Sequence, residues 1–148
     1  MATAARPTDK AVLLAREREA WAGWWLHVAD VDPAATRHDG WSLKDVISHI
    51  AAWQRSSSGR LAAIGRGQPD PGPPVTDVFN EKAREEGRLR SWRDVRDDAE
   101  RVHETFLATI DALSQEALTR DEGLGAFVIT ANGVEHYEEH VPDEFDMR

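Results

Sequence analysis

Apolar residues recur every third or fourth position along most of the chain, the period of helices packed by one face. Leu14, Trp21, Trp25 and Val28 mark the first stripe, widened by Ala11, Ala15 and Trp24. They predict a first helix from near Thr8 to about Ala29, with Thr8 as N-cap and Asp9 adding negative charge to its first turn. Asp32-Pro33 closes that region. The second stripe runs Val46, His49, Ile50, Trp53, then Leu61 and Ile64 as far as Gly65. Its start is the clearest in the chain. Ser42 is the expected N-cap, Asp45 stands at N3 in a variant capping box, and Trp41 and Val46 form a hydrophobic staple. Ser56-Ser57-Ser58-Gly59 weakens the middle of this helix.

Gly65 to Pro74 is a Gly/Pro-punctuated crossover. A short helix over Thr76–Glu86, with Val78 and Phe79 as its apolar contact and Asn80 beside them, is either a lid over a pocket or a surface connector. A third helix begins at Ser91, with Asp94 at N3, and carries Val95, Ala99, Val102, Phe106, Ile110 and Leu113; His103 is expected at its boundary. Ser114 opens a turn or helical extension through Ala117 and Leu118, which gives way to residues 119–123. A fourth helix is predicted from Leu124 to His140, with Phe127, Ile129 and Val134 as apolar surface and Gly133 in its interior at a cost of about 1 kcal/mol. Gly133 permits close helix contact or makes room near a ligand. Pro142 stops that helix, and Asp143, Glu144 and Asp146 form an acidic tail. The pattern predicts an all-α four-helix bundle with a long crossover and a short extra helix, in one domain spanning 1–148.

Composition narrows the function classes. The formal net charge of -9 argues against a nucleic-acid surface, and the run Arg84, Arg88, Arg90, Arg93, Arg96 is interleaved with acids, so it reads as a solvated face. With no cysteine, disulfides, thiolate nucleophiles and Cys-based zinc sites are excluded. The first residues have no apolar signal region, and no stretch approaches the roughly 20 apolar residues needed to cross a bilayer. A soluble cytoplasmic protein without nucleic-acid or membrane partners is expected.

The candidate chemistry lies in histidines. His136 and His140 stand four apart on one helix face, and His49 faces inward from the second helix. If those helices are neighbours, three neutral imidazoles can hold a divalent metal and leave a position open for water or substrate. Taken alone, His49 also reads as a hydrogen-bonded core histidine. Zn, Ni or Fe suits such a ligand set. The order His136-Tyr137-Glu138-Glu139-His140 is not that of the common zinc hydrolases. Glu139 is expected to point away, and no inward carboxylate near the histidines is evident, so no catalytic residue is assigned. Tyr137 is a hydroxyl donor or a packing residue. Asn132, one turn before His136, is a candidate hydrogen-bonding support. No phosphate loop, dinucleotide fingerprint or nucleophile elbow is present, so no further cofactor-binding residues emerge.

The stretch Gly40-Trp41-Ser42-Leu43-Lys44-Asp45-Val46-Ile47-Ser48-His49-Ile50-Ala51-Ala52-Trp53 and the ending His136-Tyr137-Glu138-Glu139-His140 closely resemble the DinB-like superfamily. Asn80-Glu81-Lys82-Ala83 and Ser91-Trp92-Arg93-Asp94-Val95 resemble its ClbS/DfsB branch. The resemblance implies an up-up-down-down bundle with a pocket at one end. It also implies a metal held by one histidine of the second helix and two of the fourth, matched by His49, His136 and His140. Relatives include thiol-dependent S-transferases and a mycothiol-using maleylpyruvate isomerase. An external low-molecular-weight thiol is therefore a second cofactor candidate, and a homodimer is the candidate assembly. Colibactin-resistance members of the ClbS branch resemble cyclopropane hydrolases and do not rely on this histidine trio, which weighs against that activity here. Two functions compete. One is a metal-dependent enzyme acting on a small molecule by thiol-linked transfer, isomerisation or hydrolysis. The other is a non-catalytic protein that binds a hydrophobic molecule in a pocket near Trp21, Trp25 and Trp53. A scaffold in which the histidines only pack is the third possibility.

Overall fold

The computed structural model describes residues 6–37 and 39–140. All regular structure among them is helical: α1 (Lys10–Val28), α2 (Leu43–Gly65), α3 (Thr76–Arg88), α4 (Trp92–Ala112), α5 (Gln115–Asn132) and α6 (Val134–Glu139). The bundle organises around α2, which packs against α4, α3 and α5, while α1 closes the far side against α4, α5 and α6. No helix among the described residues is long and apolar enough to cross a membrane.

The predicted start of α2 is correct in detail. Ser42 Oγ accepts the Asp45 N–H and Asp45 Oδ2 accepts the Ser42 N–H, each at 3.0 Å. The N-cap of α1 is Asp9, not Thr8, because the Thr8 carbonyl is engaged by the Gln115 amide at 2.7 Å while Asp9 accepts the Val12 N–H at 3.0 Å. Ser91 caps α4 as expected.

The extension predicted from Ser114 is helical from Gln115 and gives way within 119–123 as expected, where Asp121, Glu122 and Gly123 take left-handed conformations; the predicted fourth helix then runs only to Asn132. The break lets Ala117 and Leu118 on one side and Ala126, Val128 and Ile129 on the other enter the same core. A second break falls at Gly133 (φ -118°, ψ -102°), so α6 is a separate six-residue turn of helix. A Cβ at Gly133 would lie 2.0 Å from Glu17 Oε2: the glycine is there because a buried carboxylate occupies the space. Phe127 is not core. It is 46% exposed, with the Arg6 guanidinium over its ring. The predicted stop at Pro142 and the acidic tail lie outside the described residues.

Two apolar cores result. One, built on Leu13, Leu61, Phe106, Ile110 and Leu118, fills one end of the bundle. The other, built on Trp24, Val28, Leu43, Val46, Ile47, Val95 and Tyr137, fills the opposite end. Between them α1, α2 and α4 contribute Glu17, Gln54 and His103, all buried. Burying these groups without partners would cost several kcal/mol (roughly 1–3 for each); they satisfy one another in part, with Glu17 Oε2 and His103 Nε2 left without a partner among the described residues. Tyr137 donates its hydroxyl proton to Glu17 Oε1 at 2.5 Å and accepts from Gln54 Nε2 at 2.5 Å, and His103 Nδ1 lies 3.3 Å from Gln54 Oε1. Trp21 stacks on the His103 ring, centroids 3.9 Å apart.

The short helix α3 does not float over the bundle. Ala83 and Gly87 form its buried face, and Val78 is 69% exposed, contrary to its expected role. A Cβ at Gly87 would lie 2.2 Å from Ser48 Oγ, so only glycine permits this approach of α3 to α2. Asp45 also holds α3 through Arg84 and Arg88, both at 3.4 Å. Arg84 is therefore an anchor, not part of a solvated face.

Candidate metal centre

His49 stands on the inward face of α2 because Val46 and Ile50, which flank it on the helical wheel, are core residues. Beyond the Gly133 break, α6 carries His136, and His140 follows as its C-cap. The His140 N–H donates to the His136 carbonyl at 3.1 Å, so the two rings keep helical spacing although the helix is only one turn and a half long.

The three rings converge as the spacing predicts. His49 Nε2 and His136 Nε2 lie 2.9 Å apart, and one ligand atom from each of His49, His136 and His140 falls within 4.8 Å of the others. His49 and His136 are buried and His140 is half-buried. Burial pushes His49 down to about 3, helped by the neighbouring His136 and His140. It likewise lowers His136 and His140 to about 4 each; the Asn132 backbone weakly opposes the shift at His136, and His136 and Arg37 reinforce it at His140. All three imidazoles are therefore neutral at pH 7, the form that ligates metal.

The donor set fits a divalent metal. Two neutral Nε2 atoms at 2.9 Å share at most one proton, and the Nδ1 atoms of His49 and His136 are buried with no hydrogen-bond partner among the described residues. Such a half-satisfied cluster is costly unless something else completes it. Among the described residues, His49, His136 and His140 form a group able in principle to coordinate a metal ion.

The cluster faces a cavity of about 480 Å³. Trp41 and Trp53 stand edge-on to His49, at 5.7 and 6.4 Å between ring centres. Trp53 donates to Asn80 Oδ1 at 2.6 Å, and Phe79 packs edge-on to Trp53 at 4.9 Å, so α3 forms a docked wall of the cavity. Thr76, Arg37, Asp39, Asn132 and Glu139 complete the lining that bears on its chemistry. Glu139 thus lines the cavity instead of pointing away from it. Burial, with Glu135 and Glu138 nearby, raises its proton affinity. Asn132 lines the cavity too, but its side-chain amide turns back to the Val128 carbonyl at 2.8 Å and does not support His136.

Tyr137 and His103 do not belong to this cavity. Tyr137 turns to the opposite side of α6, into the buried network, and His103 is a buried member of that network, not a boundary residue. The carboxylate missed by sequence reasoning is Glu17. Fully buried, it is raised to about 7 by burial, against the opposing hydrogen bond from Tyr137. The only hint was an acid one turn after Leu13 and Leu14 in line with Trp21 and Trp24. Arg37 and Asp39 were missed as cavity residues, since loop residues carry no periodic signal; Asn80 lies on α3, the segment expected as a lid or a connector, and lines the cavity. The expected pocket near Trp21, Trp25 and Trp53 is two separate places. Trp53 walls the histidine cavity, while Trp21 and Trp25 join Trp92 in an apolar groove of about 620 Å³ elsewhere on the bundle.

Residues 4–129 match the family model described as the DinB superfamily. The chain belongs to the DinB superfamily. The matched span carries His49 and ends before His136 and His140, so in this DinB-superfamily chain the convergence of the trio rests on the geometry described above. No curated protein and no solved structure matches the chain.

Proposed function

We propose that this DinB-superfamily protein is a divalent-metal-dependent enzyme acting on a small molecule, with His49, His136 and His140 as the metal ligands. The observation that carries the reading is the meeting of three neutral imidazoles, two buried and one half-buried, on one cavity, two of them with unsatisfied nitrogens. Three protein ligands leave open coordination, as in catalytic rather than structural sites. A bound Zn, Ni or Fe ion would supply Lewis acidity and lower the pKa of a coordinated water or thiol.

The chain's own residues bind and orient. Trp41 and Trp53 give the cavity apolar walls, Asn80 offers an amide beside His49, and Glu139 stands at the exposed rim of the cavity, its proton affinity raised. The reaction class is thiol-linked transfer or isomerisation, or hydrolysis. Because the chain has no cysteine, a thiol must enter as an external low-molecular-weight cofactor.

Elemental mass spectrometry of tag-free protein tests this reading. About one metal per chain is expected in the wild type, and loss of it in a folded His49→Ala variant. Full occupancy in the variant would reject the ligand set. Thiol cofactors and electrophiles screened on the loaded protein would then assign the reaction.

A second reading has its own observation, the Trp21–Trp25–Trp92 groove. It makes the protein a non-catalytic binder of a hydrophobic molecule. Saturable tryptophan quenching without product would favour it.

A further inference from the structure

The loop between α1 and α2 delivers a cation to the third histidine. Thr36 and Ser42 pair across it, the Arg37 N–H donates to the Trp41 carbonyl at 2.8 Å, and Gly40 turns it with φ +86°. Asp39 Oδ1 accepts the Trp41 N–H at 3.1 Å and Arg37 Nε at 3.2 Å, and Asp39 Oδ2 closes a tight ion pair with the guanidinium. The Arg37 side chain is only 12% exposed and lies 5.9 Å above the Trp41 ring. Held this way, its remaining guanidinium arm reaches His140 Nδ1 at 2.8 Å.

A guanidinium only donates hydrogen bonds. His140 Nδ1 must therefore present a bare lone pair, and a neutral His140 carries its proton on Nε2. A neutral imidazole on a metal has one nitrogen bound and a proton on the other. If the metal takes Nδ1, it takes the lone pair Arg37 now uses. If it takes Nε2, the proton sits on Nδ1 and faces the guanidinium donor to donor. Whichever nitrogen is used, the Arg37–His140 contact and metal ligation by His140 exclude each other.

We propose that Arg37 is a built-in competitor for the metal: its hydrogen bond to His140 Nδ1 must break before the trio can close on an ion. The inference rests on the metal reading above. It gives the site a threshold: His140 is available as a ligand only once Arg37 releases it.

Two measurements test it. The first is Zn²⁺ affinity, by competition with a chromophoric chelator, for tag-free wild type, Arg37→Ala and Arg37→Gln. Both variants are expected to bind about tenfold tighter or more, the equivalent of one charge-assisted hydrogen bond. Arg37→Gln retains bulk in the loop should Arg37→Ala fail to fold. Binding by the variants where the wild type binds none would also support the proposal. Equal or weaker binding in folded variants overturns it while leaving the metal reading intact. No binding in any of the three rejects both. The second is the His140 tautomer of the metal-free wild type, from ¹⁵N NMR of the ring. A proton on Nε2 with Nδ1 bare is expected, and that preference weakens in Arg37→Ala, which removes the donor. A proton on Nδ1 in the wild type overturns the proposal whether or not metal binds.

Discussion

Two buried polar clusters share this bundle, and they differ in what they face. In the Glu17–Tyr137–Gln54–His103 network the side chains answer one another with hydrogen bonds of 2.5–3.3 Å, only Glu17 Oε2 and His103 Nε2 going without, and the network is closed in between two apolar cores. In the His49–His136–His140 cluster the rings answer one another poorly and face a cavity. The two sit back to back on α6, where consecutive residues His136 and Tyr137 point to different clusters. The first arrangement fixes the helices. The second keeps lone pairs free for something that is not part of the chain. Polar burial alone does not identify a functional site; incomplete satisfaction beside an open cavity does so far better.

The sharpest way to break the comparison is pH. Glu17 is raised from 4.5 to about 7 in the fold, so between those values the folded state holds a proton that the unfolded chain has lost. Its contribution is full below pH 4.5 and is lost as pH rises through 7. The stability of the wild type relative to Glu17→Gln should therefore fall by about 3 kcal/mol across that window, read from urea midpoints at several pH values. His49 has the opposite sign. Its pKa falls from 6.5 to about 3, so its neutral form is stabilising above pH 6.5 and that contribution is lost as pH drops towards 3. His49→Ala should flatten the acid limb of the metal-free protein's stability profile.

Next in size is Gly133→Ala, which forces a methyl group against the Glu17 carboxylate and should cost about 2 kcal/mol by thermal denaturation. Adding Glu17→Ala to it should cost less than the sum of the two single changes, because the clash disappears. At pH 7 without metal, His49→Ala should change stability by less than about 1 kcal/mol, since its ring holds one short hydrogen bond, to His136, and leaves Nδ1 unsatisfied among the described residues. A loss as large as that from Gly133→Ala would mean the trio is a structural cluster like the network. The smallest effect is expected for Asn80→Ala. It removes one half-buried hydrogen bond to Trp53, worth about 1 kcal/mol, and its readout is Trp53 fluorescence.

Much of this was legible before any coordinates. Ser42 and Asp45 announced the start of α2, and the His49 and His136/His140 spacings placed three rings on faces that do meet. The losses have physical causes. Gly133 signals close contact or room near a ligand, but not the break in the helix, because the carboxylate that requires it lies 116 residues away in sequence, on α1. Glu17 looked like any acid on an amphipathic helix, since its partners Tyr137, Gln54 and His103 come from three other helices. Arg37 and Asp39 escaped because what they do depends on where a loop comes to rest.

The break at Gly133 frees α6 from the register of the bundle. In an uninterrupted helix, moving His136 and His140 by a few degrees would drag Ile129 and Val128 out of the core with them. Here the ligand pair rides on a short arm whose bearing is set by the Tyr137 hydroxyl against Glu17 and Gln54. The geometry of the cavity is thus tied to a handful of residues around Tyr137, the same ones that join α6 to α1 and α2, so the ligand pair and the bundle share one anchor.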